Sequence, residues 1–316
     1  MGALIAPRKP TMMAALVIAV VWVAAWLFSI PFGATGLHGV VYGAVAGLGC
    51  AFTALDLRTR TLVGMLAVVL GAGGIAASGM PWLAASLVGV ATVIQYWTNQ
   101  IATAMAVTIP LVTAMSATPG NTGNPWVYAL GLAVGFAALQ VLTAVLKAQR
   151  PPNPTPQVSA FWHAALLTPA SFLVVLVTSM FATPHGYWMI AALNGAVRTT
   201  PEASSRQRVD RLVGTLVGVV IAVAAVLIVP QPWAIVLALV LCLLMLGWAF
   251  TGSVRKRTMY ITPMVVLMGS QELGTQGLEA LAGLRLVLTL LGLALAVVVS
   301  LALDAILASR TKESEQ

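Results

Sequence analysis

Long uncharged apolar runs recur along almost the whole of this chain of 316 residues. Hydrophobic residues make up 60% of the chain and charged residues 8%, whereas about 25% of the residues in a typical soluble domain are charged. So few charges cannot cover the surface of a soluble domain or keep a disordered chain solvated. Continuous runs of about 17–25 apolar residues instead match the thickness of a bilayer. The sequence therefore predicts an all-α polytopic membrane protein.

Glycines, prolines and charge clusters divide the apolar sequence into about twelve predicted transmembrane helices. Residues 186–199 and 257–271 form short predicted spans, so a ten-span count is the main alternative. The twelve predicted spans are 12–30, 38–55, 61–79, 82–98, 100–117, 126–147, 159–181, 186–199, 211–229, 233–250, 257–271 and 278–306.

The distribution of basic residues predicts the orientation of these spans. With the N-terminus in the cytoplasm, every Lys and Arg except Arg285 falls in an inner segment, and outer loops such as GATGLHG and ATPHG contain none. Because Lys and Arg accumulate in cytoplasmic loops of membrane proteins, the net charge of +8 needs no nucleic-acid partner. Both termini are expected in the cytoplasm, and the run from Met12 to Ile30 is expected to be a retained first helix.

The two halves of the chain resemble each other, which predicts an internal duplication. Each half holds six predicted spans, so the halves are expected to be parallel six-helix repeats, residues 1–150 and 151–316, related by a pseudo-twofold axis along the membrane normal. A Pro-rich linker near residues 148–158 separates them. The matching pairs are His38-Gly39 with His185-Gly186, Leu62-Val63-Gly64 with Leu212-Val213-Gly214, Pro81-Trp82 with Pro232-Trp233, Trp97 with Trp248, and Pro110 with Pro263.

Signatures of soluble enzyme families are missing from the sequence. It contains no HExxH, GxSxG or P-loop lysine motif, and its three histidines are far apart in sequence. Cys50 and Cys242 lie inside apolar runs, where packing thiols are expected rather than a disulfide framework. We therefore expect no enzymatic activity, no metal and no cofactor.

Two prolines, Pro110 and Pro263, lie near the middle of predicted spans at matching places in the two halves. A proline inside a helix removes one backbone hydrogen bond, and paired interrupted spans are typical of transport sites. The neighbouring hydroxyls of Thr108 and Thr262 are candidate substrate contacts. The alternative is a packing kink that a neighbouring helix closes.

The segment 185–218 carries the densest set of candidate residues. Arg198 and Arg211 lie at the ends of consecutive predicted spans, where a positive field and a helix N-terminus would attract anions. Gly214 and Gly218 share one helix face, with Thr215 beside them, and this spacing predicts the close approach of another helix. The alternative is that these arginines only set the topology.

This segment resembles the fusaric-acid-resistance (FUSC) family of bacterial membrane exporters, which includes the aromatic acid exporters. The resemblance implies an inner-membrane exporter of small aromatic or amphipathic organic acids. The family looks similar in fold to plant aluminium-activated malate channels, so the chain would be a fused pseudo-dimer, with further homo-oligomerisation left open. In the first half Met65 replaces the threonine of the family pattern. The matching residues are Tyr187-Trp188, Arg198, Pro201, Arg211, Gly214, Thr215 and Gly218.

Four further polar residues are candidates within or beside the spans. Arg285 lies inside the last span, where a charge costs at least a few kcal/mol; it is expected to face protein or water, with Glu272 or Glu279 as a partner, or to snorkel outward. His38 and His185 are candidate proton-linked residues or simple interfacial histidines. Asn194 lies on the expected route or bonds a neighbouring helix.

Together these observations predict an exporter of small aromatic or amphipathic organic anions, with proton coupling left open. Substrate would pass Arg198 and Arg211, then Pro110 and Pro263, and meet Arg285 further out. One alternative is a passive anion channel, because no strong proton-carrying carboxylate lies at mid-membrane. The other is a membrane scaffold subunit of an envelope pathway. The expected partners are the organic anion and the lipid bilayer.

Overall fold

The structure, a computed structural model, describes the backbone of residues 5–315 except positions 106, 120, 122, 148, 184 and 200. Within this range the side chains of 104, 201–204, 226, 231–232, 268–279, 281–282 and 311–315 are not described. The elements are α1 (Arg8–Ala51), α2 (Leu57–Ala76), α3 (Pro81–Ile101), a 3-10 helix (Thr103–Met105), α4 (Thr108–Ser116), α5 (Pro125–Val145), α6 (Gln157–Met180), α7 (Tyr187–Ala196), α8 (Pro201–Ile228), α9 (Gln231–Thr251) and α10 (Val254–Glu315).

These elements confirm the all-α prediction for the described residues, but not the predicted number of helices. The first two predicted spans lie in the single helix α1, of 44 residues, and the last two lie in α10, of 62 residues. The described part of the chain therefore forms ten α-helices and one 3-10 helix, and an arrangement of twelve helices in two repeats is not confirmed. The six segments that are long and apolar enough to cross a membrane, which indicate a multi-pass membrane protein, are Arg8–Ala51, Leu57–Ala76, Pro125–Val145, Gln157–Met180, Trp233–Thr251 and Gly283–Arg310.

Helix α1 changes direction at Gly33, whose φ of 61° and ψ of −153° are not helical. Glycine reaches this positive φ without a Cβ clash, and Pro31 weakens the helix just before it. The part before the kink contacts α9, where a Cβ on Gly247 would lie 3.7 Å from Oγ1 of Thr11. The part after it packs on α5. The residues predicted to form an outer loop at 33–37 are thus a kink between two helical arms.

Helix α10 is one element in the chain order, but it cannot be one straight rod. Val265 and Leu284 pack against the same two buried residues, Trp188 and Leu288. A straight α-helix would separate Val265 from Leu284 by about 28 Å. The two arms of α10, residues 254–267 and 283–310, therefore lie side by side around Trp188.

Helices α4 and α7 are too short to cross a bilayer alone. They have nine and ten residues, which gives each a length of about 15 Å against a hydrocarbon core of about 30 Å. Ala114 and Ala117 at the end of α4 share one buried cluster with Ile190 and Leu193 of α7. Such interrupted backbone is tolerated at membrane depth where protein or a watery cavity surrounds it. The two half-length helices accordingly lie in the interior of the bundle.

The linker between α5 and α6 is hydrogen-bonded to several other loops. The backbone N–H of Ala54 donates to Arg150 O at 2.7 Å, and that of Thr103 donates to Asn153 O at 3.0 Å. The Arg150 side chain donates to Phe250 O at 2.8 Å. The connections α1–α2, α3–α4, α5–α6 and α9–α10 therefore lie at the same end of the bundle.

Glycines allow α1 and α5 to touch through their backbones. A Cβ on Gly43 would collide with the main chain of Leu132, and one on Gly135 would collide with the carbonyl oxygen of Val40. Small residues at i and i+4 are the usual means by which membrane helices approach this closely. This contact fixes the arm of α1 that follows Gly33 against α5.

We expect Gly135→Ala to lower the free energy of unfolding by about 1–3 kcal/mol, because the added methyl group overlaps Val40. Gly283→Ala is the matched control, since nothing lies within 4 Å of a Cβ at this exposed position; it should be neutral or slightly stabilising. Thermal unfolding of both variants in detergent measures the difference. An equal loss of stability in the two variants would contradict this packing.

Candidate anion-binding site

Three arginines that the sequence singled out, Arg198, Arg211 and Arg285, come together with a fourth, Arg257. Arg211 lies within electrostatic range of the other three, and Arg198 also lies within range of Arg257. We call these four residues the arginine cluster. Its members come from the loop after α7, from α8 and from both arms of α10. Arg285, which the sequence placed further out than Arg198 and Arg211, thus lies within electrostatic range of Arg211.

Arg211 reaches α7 because residue 195 is a glycine. A Cβ on Gly195 would collide with Nη1 of Arg211. Gly195 is buried in the last turn of α7, so the guanidinium group lies directly against the helix backbone. The glycine at position 195 therefore leaves the space that the Arg211 guanidinium group occupies.

Arg285 lies deep in the protein, with 8% of its surface exposed. The centre of its guanidinium group is 4.6 Å from the ring centroid of Trp188, a cation–π contact. His185 stacks on the same indole at 4.6 Å and 10°, and the Tyr187 hydroxyl is 3.4 Å from His185 Nδ1. Nε of Arg285 has no hydrogen-bond partner among the described residues. The aromatic residues at the start of α7 thus border the Arg285 guanidinium group, whose Nε–H donor has no partner among the described residues.

Arg257 was expected only as part of the basic triplet Arg255-Lys256-Arg257 in an inner loop. The triplet begins α10, and successive residues of a helix point about 100° apart. Arg255 is exposed, Lys256 lies 3.7 Å from the centroid of the Trp248 ring, and Arg257 points into the arginine cluster. The sequence did contain one signal for Arg257. It is the member of the triplet that directly adjoins the following apolar run.

Among the described residues, the groups that act electrostatically on Arg211 and Arg285 are positively charged or neutral. The described groups that act electrostatically on them are other arginines and the Tyr187 phenol. Two like charges 8 Å apart repel by about 2 kcal/mol at an effective dielectric of 20, and each buried ion also loses hydration. Glu272 and Glu279, the expected partners of Arg285, have side chains outside the described residues. An anion is the kind of ligand that this arrangement would hold.

Helix α8 reaches the cluster through its glycine face. A Cβ on Gly214 would lie 2.5 Å from Arg255 O, and one on Gly218 would lie 2.7 Å from Thr262 Cβ. Both contacts are with the first arm of α10, and Thr215 is buried beside them. The spacing that predicted a close helix contact therefore lies where α8 meets α10.

The predicted pair of prolines does not form two equivalent breaks. Pro110 is the third residue of α4, where its missing N–H removes no helical bond, and the break lies before it, between α3 and α4. Pro263 lies inside the helical backbone of α10. The Thr108 hydroxyl donates to Met105 O and that of Thr262 to Thr258 O. Both hydroxyl groups thus donate to main-chain carbonyls of the protein.

Asn194 takes part in a buried polar network between α3, α6 and α7. Its Oδ1 accepts from Gln95 Nε2 at 2.7 Å, and its Nδ2 donates to Ser171 Oγ at 3.1 Å and to Ile190 O at 3.3 Å. These bonds use the polar atoms of Asn194 within the protein, as the helix-bonding alternative expects.

The two candidate proton-linked histidines have different surroundings. His38 is exposed on α1 with its ring 6.2 Å from that of Tyr42, whereas His185 is half-buried against Trp188. The third histidine of the chain, His163, is 3% exposed. Its burial arises from helix packing, which the local sequence does not reveal.

Comparison with known proteins finds a similarity for the part of the chain that carries this site. A family model described as “Fusaric acid resistance protein-like” matches residues 170–299, a range that contains all four members of the arginine cluster. No curated protein and no solved structure matches the chain, so the likeness to plant malate channels stays a prediction. Over residues 170–299 the chain is fusaric-acid-resistance-like, and the resemblance seen in the Tyr187-Trp188 motif and the Arg211–Gly218 segment is confirmed there.

Proposed function

We propose that this membrane protein is a transporter that exports small aromatic or amphipathic organic anions, without catalytic activity of its own. The observation that carries the proposal is the arginine cluster, in which Arg285 is buried with an unpartnered Nε. The match of residues 170–299 to the fusaric-acid-resistance family model supports a transporter, as do the six helices that are long and apolar enough to cross a membrane. The positive charge of the arginine cluster supports an anionic cargo.

The aromatic side chains next to Arg285 favour a cargo that combines a ring with a negative group. Trp188 and Tyr187 line one side of the arginine, and the indole already holds the guanidinium group by a cation–π contact. Arginine presents a planar fork of donors that fits a carboxylate. A flat apolar ring would pack against the aromatic walls while its carboxylate accepts from Arg285 and Arg211.

We also propose that the chain is a pseudo-dimer of two parallel repeats, residues 1–150 and 151–316. Helix contacts support this arrangement: α3 packs on α6 where Gly89 faces Phe172, and the corresponding α9 packs on α1 where Gly247 faces Thr11. In both cases a helix of one half contacts the first helix of the other. Interrupted helices near such a boundary are typical of transport sites.

The proposed location is the bacterial inner membrane, with both termini in the cytoplasm. The loops joined by Ala54, Arg150 and Phe250 lie at the same end of the bundle, and they carry or adjoin seven of the sixteen basic residues. The positive-inside rule would put that end in the cytoplasm. Anions would then enter the cluster from the cytoplasm past Arg198.

Benzoate should raise the thermal stability of the purified protein, whereas its neutral isostere benzamide should not. A ligand at a hundred times its Kd adds about 2.7 kcal/mol, and only the anion compensates the arginine cluster. Unfolding followed by tryptophan fluorescence measures both shifts. Equal stabilisation by the two compounds would show that ring burial, and not charge, governs binding.

Arg257→Gln should have opposite effects on the free and the liganded protein. Removing one of the clustered charges relieves repulsion, so the anion-free protein should unfold at a higher temperature. The benzoate-induced shift should become smaller, because one positive charge facing the anion is lost. A variant that is less stable without ligand and shifts as much with benzoate would contradict the role of Arg257 in the cluster.

Arg198→Gln with Arg211→Gln should reduce benzoate efflux from proteoliposomes, and host protection against aromatic acids, by at least tenfold. Each substitution removes a charge-assisted contact worth roughly 1.5–3 kcal/mol. Arg58→Gln is the control, because Arg58 is exposed in another basic segment; it should leave efflux unchanged.

Unaltered efflux in the double variant, at equal expression, would refute the proposed path. Planar-bilayer recording separates the two transport mechanisms that the sequence leaves open. Large unitary currents would identify a channel, whereas their absence together with benzoate efflux fits an exporter.

A further inference from the structure

We propose that His163 of α6 is a proton-sensitive latch that holds the segment carrying Arg198. The inference rests on the proposed function, since it assigns the regulation of the same anion site. The latch consists of Asn99 on α3, His163, and the Val197 carbonyl at the end of α7. It joins three helices at the entrance to the arginine cluster.

Both nitrogens of the His163 ring are engaged. Asn99 Nδ2 lies 3.2 Å from Nδ1, and Val197 O lies 3.4 Å from Nε2. An amide NH₂ group can only donate and a carbonyl oxygen can only accept. The assigned contacts therefore fit a neutral ring that carries its proton on Nε2, accepts from Asn99 and donates to Val197.

The two partners of the ring are themselves fixed in place. The main-chain carbonyl of Asn99 accepts from Thr155 N–H at 2.9 Å, which ties α3 to the linker, and Val197 N–H donates to Leu193 O in the last turn of α7. Val197 is followed directly by Arg198. The bond from His163 thus holds the backbone from which Arg198 extends.

A second proton would have opposite effects on the two contacts, because it removes the lone pair that accepts from Asn99 and strengthens the bond from Nε2–H to the Val197 carbonyl. Nδ1–H would face the NH₂ group of Asn99, donor against donor, and the new positive charge would repel Arg198, the described charged group that acts on this ring. The elements packed against α6 are α3, α7 and α10. Near the ring α3 supplies the uncharged Asn99, and α10 contributes no described charge to its electrostatic surroundings. Protonation should therefore open the latch on the Asn99 side and push the Arg198 side chain away from the ring and out of the cluster.

The expected result is weaker anion binding in acid. Benzenesulfonate is the probe, because it stays ionised at pH 3.5. Its affinity for the wild-type protein should fall about tenfold between pH 8 and pH 3.5, the loss of about one charge-assisted bond. His163→Gln should bind within twofold of wild type at pH 8 and change less than twofold in acid, because glutamine offers one acceptor and one donor but does not titrate.

Two variants test the assignment to this residue. His38→Gln should keep the wild-type pH dependence. Asn99→Asp supplies an acceptor for Nδ1–H, so the protonated ring keeps its contact with α3 and the affinity should change less than twofold in acid; this variant remains informative if His163→Gln fails to fold. A flat wild-type profile, or an unchanged profile in His163→Gln, would overturn the latch.

Hydrogen exchange of the peptide 191–199, measured without any anion, separates failure of the latch from failure of the proposed function. After correction for the intrinsic effect of pH on exchange, protection should fall in acid in the wild type and not in His163→Gln. This outcome would support the latch even if no anion were bound. Equal protection at both pH values would overturn the latch and leave the anion-binding result to stand alone.

Discussion

The burial of positive charge in an apolar bundle is the constraint on which this molecule depends. Arg211 and Arg285 are held within electrostatic range of each other, and the described groups around them supply like charge, a phenol and an indole. Arginine tolerates this position better than lysine, because its charge is delocalised and it stays protonated. The described residues place no negative charge beside Arg211 or Arg285, and a mobile anion would provide it without a permanent carboxylate that blocks the path.

The backbone brings these arginines together by departing from regular spans. Helix α7 ends at Ala196, half-way through a typical span, so Arg198 starts from the interior of the bundle. The two arms of α10 lie side by side, which places Arg257 and Arg285 near the same neighbour although a straight helix would separate them by about 42 Å. Gly195 and Gly214 remove the Cβ atoms that would otherwise keep α7, α8 and α10 apart. Short helices and glycines thus determine where the charge is concentrated.

The sequence predicted the apolar segments better than it predicted their connections. Hydropathy located almost every helical stretch, since a membrane segment is apolar whatever it contacts. It did not predict that the chain would stay helical at Phe32 and Ala34 on either side of a single non-helical glycine, because Pro31 and Gly33 are equally typical of a loop. Likewise Arg198, Arg211 and Arg285 were selected by their place near or inside spans. Arg257 was hidden in a basic triplet that has a sufficient topological explanation, and only its rotation about α10 distinguishes it from Arg255 and Lys256.

A proton-sensitive latch beside a cluster of fixed charges has a thermodynamic consequence for transport. Binding of a proton to His163 and binding of an anion to the cluster act on the same segment, Val197-Arg198, so each must change the affinity of the other by the same factor. An anion that draws Arg198 inward favours the neutral ring, because it keeps the positive charge of Arg198 near His163. A proton that opens the latch favours release of the anion. Such reciprocity would allow a proton gradient to drive export without any carboxylate in the path, which accommodates the scarcity of acidic residues in this chain.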